Sequence, residues 1–258
     1  ATTTASNNTG VGKDALGVNT TGTLNTAVGA NALDANTTAS HNTGIGNNAL
    51  GATTTGDENT AIGSSALLLN TTGQNNVAIG REALRANTTA SNITAVGFNS
   101  LLANTTGASN VAVGTNSLLT MTTASFNVAV GHNALRTSNG ARNVGVGNDA
   151  GRNITSGIQN IALGDDAMYN VTTGNSNVAV GHDALLTSTT ASNNTAVGVN
   201  ALRVGTGSQN TAVGFQAMFY TTTGVSNTAV GYSALGSAAT TASYLTAVGR
   251  NALRFNTS

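Results

Sequence analysis

Cysteine is absent from this 258-residue chain, which excludes disulfides and thiolate metal sites. Tryptophan is also absent and aromatics make up only 3% of residues, so no platform for stacking nucleic-acid bases is present. Charged residues reach only 7% and the formal net charge is zero, so the chain has no basic field to hold nucleic acid or an anionic membrane. No apolar run approaches the roughly 18 residues of a membrane-spanning helix. No signal peptide is visible. The polar remainder, rich in Thr, Asn, Ala and Gly, resembles a disordered composition. The strict spacing of Val, Ile and Leu argues against disorder.

That spacing is the main content of the sequence. Asn-Thr-Ala-Val-Gly, or a close variant, recurs fifteen times, each copy ending in a glycine: Gly12, Gly29, Gly46, Gly63, Gly80, Gly97, Gly114, Gly131, Gly147, Gly164, Gly181, Gly198, Gly214, Gly231 and Gly249. Thirteen of the fourteen intervals are 16 or 17 residues, and the last is 18. A fixed period of this length marks one small unit stacked many times. Residues 1–258 therefore read as a single repetitive segment. The chain starts and stops in mid-repeat, with Ala1-Thr2-Thr3-Thr4 and Phe255-Asn256-Thr257-Ser258, as expected of part of a longer fibre protein.

Residues 25–41, NTAVGANALDANTTASH, show the unit. A β-branched residue, a small one and then Val or Ile predict a short strand with differently filled faces. The glycine ends that strand at a tight corner where a Cβ would clash. Leu, four residues later, is a second apolar anchor, and the Asn-Thr-Thr stretch predicts a second short strand and a return turn. Frequent Gly and β-branched residues, with no 3.6-residue period, disfavour helix. The fold expected is all-β: a parallel β-solenoid of about fifteen 17-residue coils, stacked roughly 4.8 Å apart. Stacked Asn side chains can form an amide ladder between coils. The Val and Leu rows are expected to fill a thin interior. The Ala/Gly row at Ala27, Gly44, Ala61, Ala78, Ala95, Ala112 and Ala129 either faces that interior or lets a neighbouring chain approach closely. Two large apolar side chains per coil supply little burial, which favours several parallel chains side by side, most simply three.

The repeat resembles the Ser-Val-Ala-Ile-Gly-x-x-Ser repeats in the heads of YadA-like trimeric autotransporter adhesins. Asn-Thr-Ala-Val-Gly-x-x-Ala at residues 194–201 and 227–234 sits in the same frame. The longer NTAVGxxALxxNTTG unit is similar to repeats of tail-fibre-domain proteins from phages and bacteria. The resemblance spans essentially the whole chain. It implies a left-handed parallel β-roll, assembled as a parallel homotrimer in an extracellular fibre. The adhesin-head unit is shorter than 17 residues, which puts coil shape in doubt.

Few residues suggest chemistry. His132 and His182 hold equivalent places three coils apart, too distant to share a metal, and His41 lies elsewhere in its coil. Asp149, Asp166 and Asp183 are equivalent on consecutive coils with Asp165 beside them. They form a weak candidate for a Ca²⁺ site, against the plainer reading of Asp replacing the usual Asn. No nucleophile elbow or phosphate-binding loop occurs, so no catalytic residue, no enzyme activity and no cofactor is expected. Asn19, Asn36, Asn70, Asn87 and Asn104 open Asn-x-Thr sequons in register and are candidate glycosylation sites. Thr-Thr pairs, from Thr20-Thr21 to Thr105-Thr106, offer a candidate ice-binding row. Phe98, Phe215 and Tyr232, just after the corner, are candidate glycan contacts. The functional expectation is a structural or adhesive fibre segment, from a phage tail fibre or a bacterial surface adhesin. It would be extracellular, on a cell surface or on a virion. Its partners would be copies of itself and a cell-surface glycan or receptor, with no nucleic acid and no membrane insertion. The alternatives are a self-assembling, glycosylated extracellular filament and an ice-binding solenoid.

Overall fold

The computed structural model describes residues 4–236 and 241–255. Among them there is no helix; every regular element is a three-residue strand that falls on the repeated motif. The chain forms two compact units, Ala1–Asn127 and Val128–Ser258. The first carries β1 (Thr9–Val11), β2 (Thr26–Val28), β3 (Thr43–Ile45), β4 (Thr60–Ile62), β5 (Val77–Ile79), β6 (Thr94–Val96) and β7 (Val111–Val113). The second carries β8 (Val128–Val130), β9 (Val144–Val146), β10 (Ile161–Leu163), β11 (Val178–Val180), β12 (Thr195–Val197), β13 (Thr211–Val213), β14 (Thr228–Val230) and β15 (Thr246–Val248).

Within each unit every strand pairs in parallel with the next in sequence, and like residues face like: Thr26↔Thr43, Ala27↔Gly44 and Val28↔Ile45 in the first, Thr211↔Thr228 and Ala212↔Ala229 in the second. Each unit is thus a parallel β-solenoid with one strand per coil. The expected second strand over the Asn-Thr-Thr stretch does not form. The stretch turns and bends instead, yet still hydrogen-bonds coil to coil, as where Thr54 N–H donates to Thr71 O at 3.0 Å and Thr71 N–H to Thr88 O at 2.8 Å. This is also where the 16-residue coils lose their residue. Asn139 and Thr206 each stand where other coils have two residues, and each keeps the ladder by donating its N–H to Thr155 O and Thr222 O.

The interior corrects one expectation. On each strand the central Ala or Gly points inward, and Ala27, Ala61, Ala95, Ala129 and Ala212 are wholly buried within the single chain. The third residue points outward: Val28 is 36% exposed and Ile62 38%. The Val/Ile row therefore does not fill the interior, and the small-residue row is not the surface that meets a neighbour. The reason is spatial. The buried Leu of each coil reaches across beneath the strand of the next, so that a Cβ on Gly44 would stand 3.4 Å from Leu33 Cγ. Only a small residue fits opposite. Where that Leu is missing, at Gly151, a Cβ would stand 2.7 Å from Leu135 Cδ2 and 3.0 Å from Ile154 Cδ1, and both those residues are wholly buried.

Two rows of asparagine complete the core. The row opening the motif is buried (Asn25, Asn42, Asn59, Asn76), and it links coils partly through the main chain. Asn42 Oδ1 accepts the N–H of Asn59 at 2.9 Å, and Asn42 Nδ2 donates to Gly56 O at 2.9 Å. Direct amide-to-amide bonds join this row in the second unit, where Asn177 Nδ2 donates to Asn160 Oδ1 at 3.0 Å. Burying an amide is tolerable where both its donor and its acceptor are satisfied, as at Asn42 and Asn59, whose oxygens accept the next coil's N–H and whose Nδ2 groups donate to carbonyls.

Candidate functional site

Three kinds of backbone strain build the corner of each coil. The repeated glycines have φ between 122° and 136°, a region closed to residues with a Cβ. A Cβ on Gly63 would stand 2.5 Å from the carbonyl oxygen of Gly80 in the next coil, and one on Gly147 2.4 Å from that of Gly164. Two residues after the glycine the chain is left-handed, most often at Asn, as at Asn31 with φ 57° and Asn48 with φ 58°. Two further on it is left-handed again, at the buried Leu, as at Leu33 with φ 51°. A left-handed Leu costs about 1–2 kcal/mol relative to its ordinary conformation, offset here by burial of the side chain.

The left-handed position after the glycine explains the aspartates. Asp149, Asp166 and Asp183 have φ 52°, 54° and 57°, where Asp and Asn are the side-chain-bearing residues most tolerant of that backbone. Stacking places the three carboxylates on successive coils, with Asp165 adjoining. These four are all the acidic residues after Glu82, so the negative charge of the second unit is concentrated here. The outer members are neutralised. Arg152 Nε lies 3.5 Å from Asp149 Oδ1, and Arg203 Nε donates to Asp183 Oδ2 at 3.0 Å. His182 lies 3.8 Å from both Asp165 and Asp183. No cation lies within ion-pair distance of Asp166 among the described residues. Burial, then the carboxylates of Asp165, Asp149 and Asp183, push its carboxyl above the usual aspartate range, with His182 acting the other way.

Asp149, Asp166 and Asp183 line an open groove of about 520 Å³ with Tyr169, Asn170, His182, Leu186 and Arg203. The weak candidate for a Ca²⁺ site at Asp149, Asp165, Asp166 and Asp183 does not form a converging ligand set. The carboxylates form a row along the stack, two of them held by guanidinium groups, and among the described residues no three acidic or histidine groups converge as a metal requires. His132 does not line this groove, although its carbonyl accepts the Asp149 N–H at 2.9 Å; its Nδ1 lies 3.0 Å from Asn148 Oδ1, and His41 is exposed on a left-handed turn with φ 60°.

The sequon asparagines are structural. Asn36, Asn70, Asn87 and Asn104 are wholly buried and Asn19 half-buried. Asn87 Nδ2 donates to Asn70 Oδ1 at 2.9 Å and to Ala90 O at 3.0 Å; Asn104 Nδ2 donates to Asn87 Oδ1 at 3.2 Å and to Gly107 O at 3.1 Å. Asn36 Nδ2 reaches Asn19 Oδ1, and Asn19 Nδ2 donates to Gly22 O. The nitrogen that would carry a glycan is spent inside the coil, which corrects the reading of these five as glycosylation sites. A sequence signal for this was present: the same place in other coils holds Met121, Ile154 or Val171, side chains suited to an interior.

The Thr-Thr pairs divide their labour. The first hydroxyl caps the next coil, as Thr71 Oγ1 donates to Thr88 O at 3.0 Å and Thr88 Oγ1 to Thr105 O at 3.2 Å. The second threonine of each pair, such as Thr72 and Thr89, is exposed. The aromatics after the corner have covered faces. Arg81 lies 4.4 Å over the ring of Phe98, while Phe215 and Tyr232 stack at 5.2 Å with Arg250 over Tyr232. Ring edges remain for contact. No protein-family model matches this chain, and no curated protein matches it.

Proposed function

We propose that this chain is a load-bearing, adhesive segment of an extracellular fibre, on a virion or a cell surface, in which identical chains pack side by side, most simply as a parallel homotrimer. The carrying observation is the outward row of the strands. Val28, Ile45, Ile62 and Ile79 in the first unit, and Val130, Val146 and Val230 in the second, are each 36–38% exposed on a hydrogen-bonded sheet. An apolar row that continues from coil to coil is a surface built to be covered. The half-buried Thr or Val at the first strand position flanks it and limits how closely a neighbour can come. Within each unit, strength along the stack comes from ladders of backbone, Asn and Thr bonds between successive coils.

The mass of the native particle tests this reading. A mass near three times the chain's 25.3 kDa is expected, and Ile62→Lys with Ile79→Lys lowers it while leaving the β circular-dichroism signal in place. A monomer of unchanged mass in both proteins overturns it. Ice binding has less support, because half of the Thr-Thr hydroxyls are committed to carbonyls of the next coil.

A further inference from the structure

We propose that Asn139 is a site of spontaneous deamidation, at which the native chain converts its own side-chain amide to aspartate and isoaspartate. This inference does not rest on the fibre reading, because it concerns one shortened coil and none of the outward strand row. Asn139-Gly140 is the one Asn-Gly pair in the sequence. In a full-length coil the equivalent glycine follows two threonines, as in Thr71-Thr72-Gly73, and here Asn139 stands for both. The glycine is required, since a Cβ on Gly140 would collide with the carbonyl oxygen of Gly157 in the next coil. Asn139 is exposed and so within reach of water, and its main chain is held by its N–H on Thr155 O at 2.7 Å. The N–H of Gly140 donates to no acceptor among the described residues. In the coil of Asn19 the matching N–H, of Gly22, donates to Asn19 Oδ1 at 3.1 Å; Ser138 replaces that asparagine here and turns its hydroxyl to Gly140 O instead.

The reaction needs that nitrogen as its nucleophile. Solvent base removes the Gly140 amide proton, and the nitrogen attacks Asn139 Cγ. A C–N bond forms and the side-chain amide nitrogen leaves as ammonia, taking a proton from water, which closes a five-membered succinimide. Water then adds to one of the two ring carbonyls. Opening at Cγ yields aspartate; opening at the main-chain carbonyl yields isoaspartate, with the chain routed through the side chain. The net change is amide and water to carboxylic acid and ammonia, with no redox step. Glycine leaves the attacking nitrogen uncrowded. Other exposed asparagines do not combine these features. Asn47, Asn148 and Asn175 are each followed by an N–H in use: Asn48 N–H donates to Ala30 O at 2.9 Å, Asp149 N–H to His132 O at 2.9 Å and Ser176 N–H to Ile158 O at 3.0 Å. Asn175 is held further, because its Oδ1 accepts the Ile158 N–H at 2.8 Å.

Incubation of the native protein in mildly alkaline buffer, followed by tryptic mapping against an unincubated sample, tests the proposal. Cleavage after Arg136 and Arg142 releases residues 137–142 as one peptide. That peptide should gain the mass of an amide-to-acid exchange, as two products separable by chromatography, before the peptides carrying Asn47, Asn148 or Asn175 do. Isoelectric focusing of the intact protein should show a new species with one more negative charge. Asn139→Thr should abolish that species and keep the fold, because Thr206 stands before Gly207 in the other coil shortened at this place; the β circular-dichroism signal checks it. A synthetic peptide of the same six residues is the positive control for the chemistry. Native protein that stays unconverted while the peptide converts, conversion no faster than at Asn175, or the same acidic species in Asn139→Thr overturns the proposal. None of these outcomes bears on the particle mass, so the two readings fail separately.

Discussion

Removing one rung of the inner asparagine ladder, by Asn59→Ala, should unfasten one coil from the next. Asn59 Oδ1 accepts the N–H of Asn76 at 3.0 Å, while its Nδ2 donates to Gly73 O at 2.9 Å and to Gly56 O at 3.2 Å. The two carbonyls have substitutes. Gly73 O also takes Asn70 Nδ2 at 3.0 Å, and Gly56 O takes Asn42 Nδ2 at 2.9 Å. The buried Asn76 N–H loses the acceptor that Asn59 supplies. An orphaned buried donor costs about 1–3 kcal/mol, and each lost amide bond about 0.5–1.5 kcal/mol net. The sum is at least about 2 kcal/mol, which corresponds to about a 30-fold change in a local opening equilibrium. Native-state hydrogen exchange is the suitable assay, because stacked repeats open locally rather than all at once. The Asn76 amide should exchange about 30-fold faster in the variant. Asn59→Asp keeps the acceptor but sets a carboxylate against two carbonyl oxygens; it should be worse at neutral pH and recover on acidification, when the protonated acid can donate. Acceleration of less than about threefold at Asn76 would refute the assignment of this ladder as a principal inter-coil tie.

Gly63→Ala and Gly249→Ala separate strain from collision. Both glycines have positive φ, 136° and 122°, but a Cβ on Gly63 meets the Gly80 carbonyl at 2.5 Å and one on Gly249 meets nothing within 4 Å. Strain alone costs about 1–3 kcal/mol, so Gly63→Ala should lower the denaturation midpoint clearly more than Gly249→Ala; equal losses would contradict the close approach of successive corners. Asp166→Asn should stabilise the protein at neutral pH, by a few tenths to about 1 kcal/mol because the half-exposed row is screened by solvent. The folded carboxyl is raised, so its stabilising contribution is present below the unfolded aspartate range and is lost as pH rises through the folded value. The variant's advantage in urea midpoint should accordingly shrink towards about pH 3; an advantage independent of pH would show that charge is not its origin.

Much of the fold was legible in the chain. The 17-residue period sets the coil, the β-branched pattern sets the strand, and the repeated glycine marks a corner that excludes a Cβ. These are properties of a few adjacent residues, and repetition amplifies them. That Asp149, Asp166 and Asp183 stand in for the usual Asn was also readable, but the left-handed backbone that favours both residues there came from the structure. Which side of the strand faces inward was not. Ala27 and Val28 differ by one position, and the choice between them depends on how the coil closes. Closure turns on a second left-handed residue, and that residue is Leu33, which carries no local sign of such a backbone. Once the Leu side chain is turned inward under the next strand, it leaves room only for Ala or Gly, and Val is forced to the outside. The same closure draws Asn36 and its equivalents into the interior and makes ladders of apparent glycosylation sequons. Local backbone chemistry determined the repeat; only the tertiary packing, through the volume available inside one coil, decided which rows are core and which are surface.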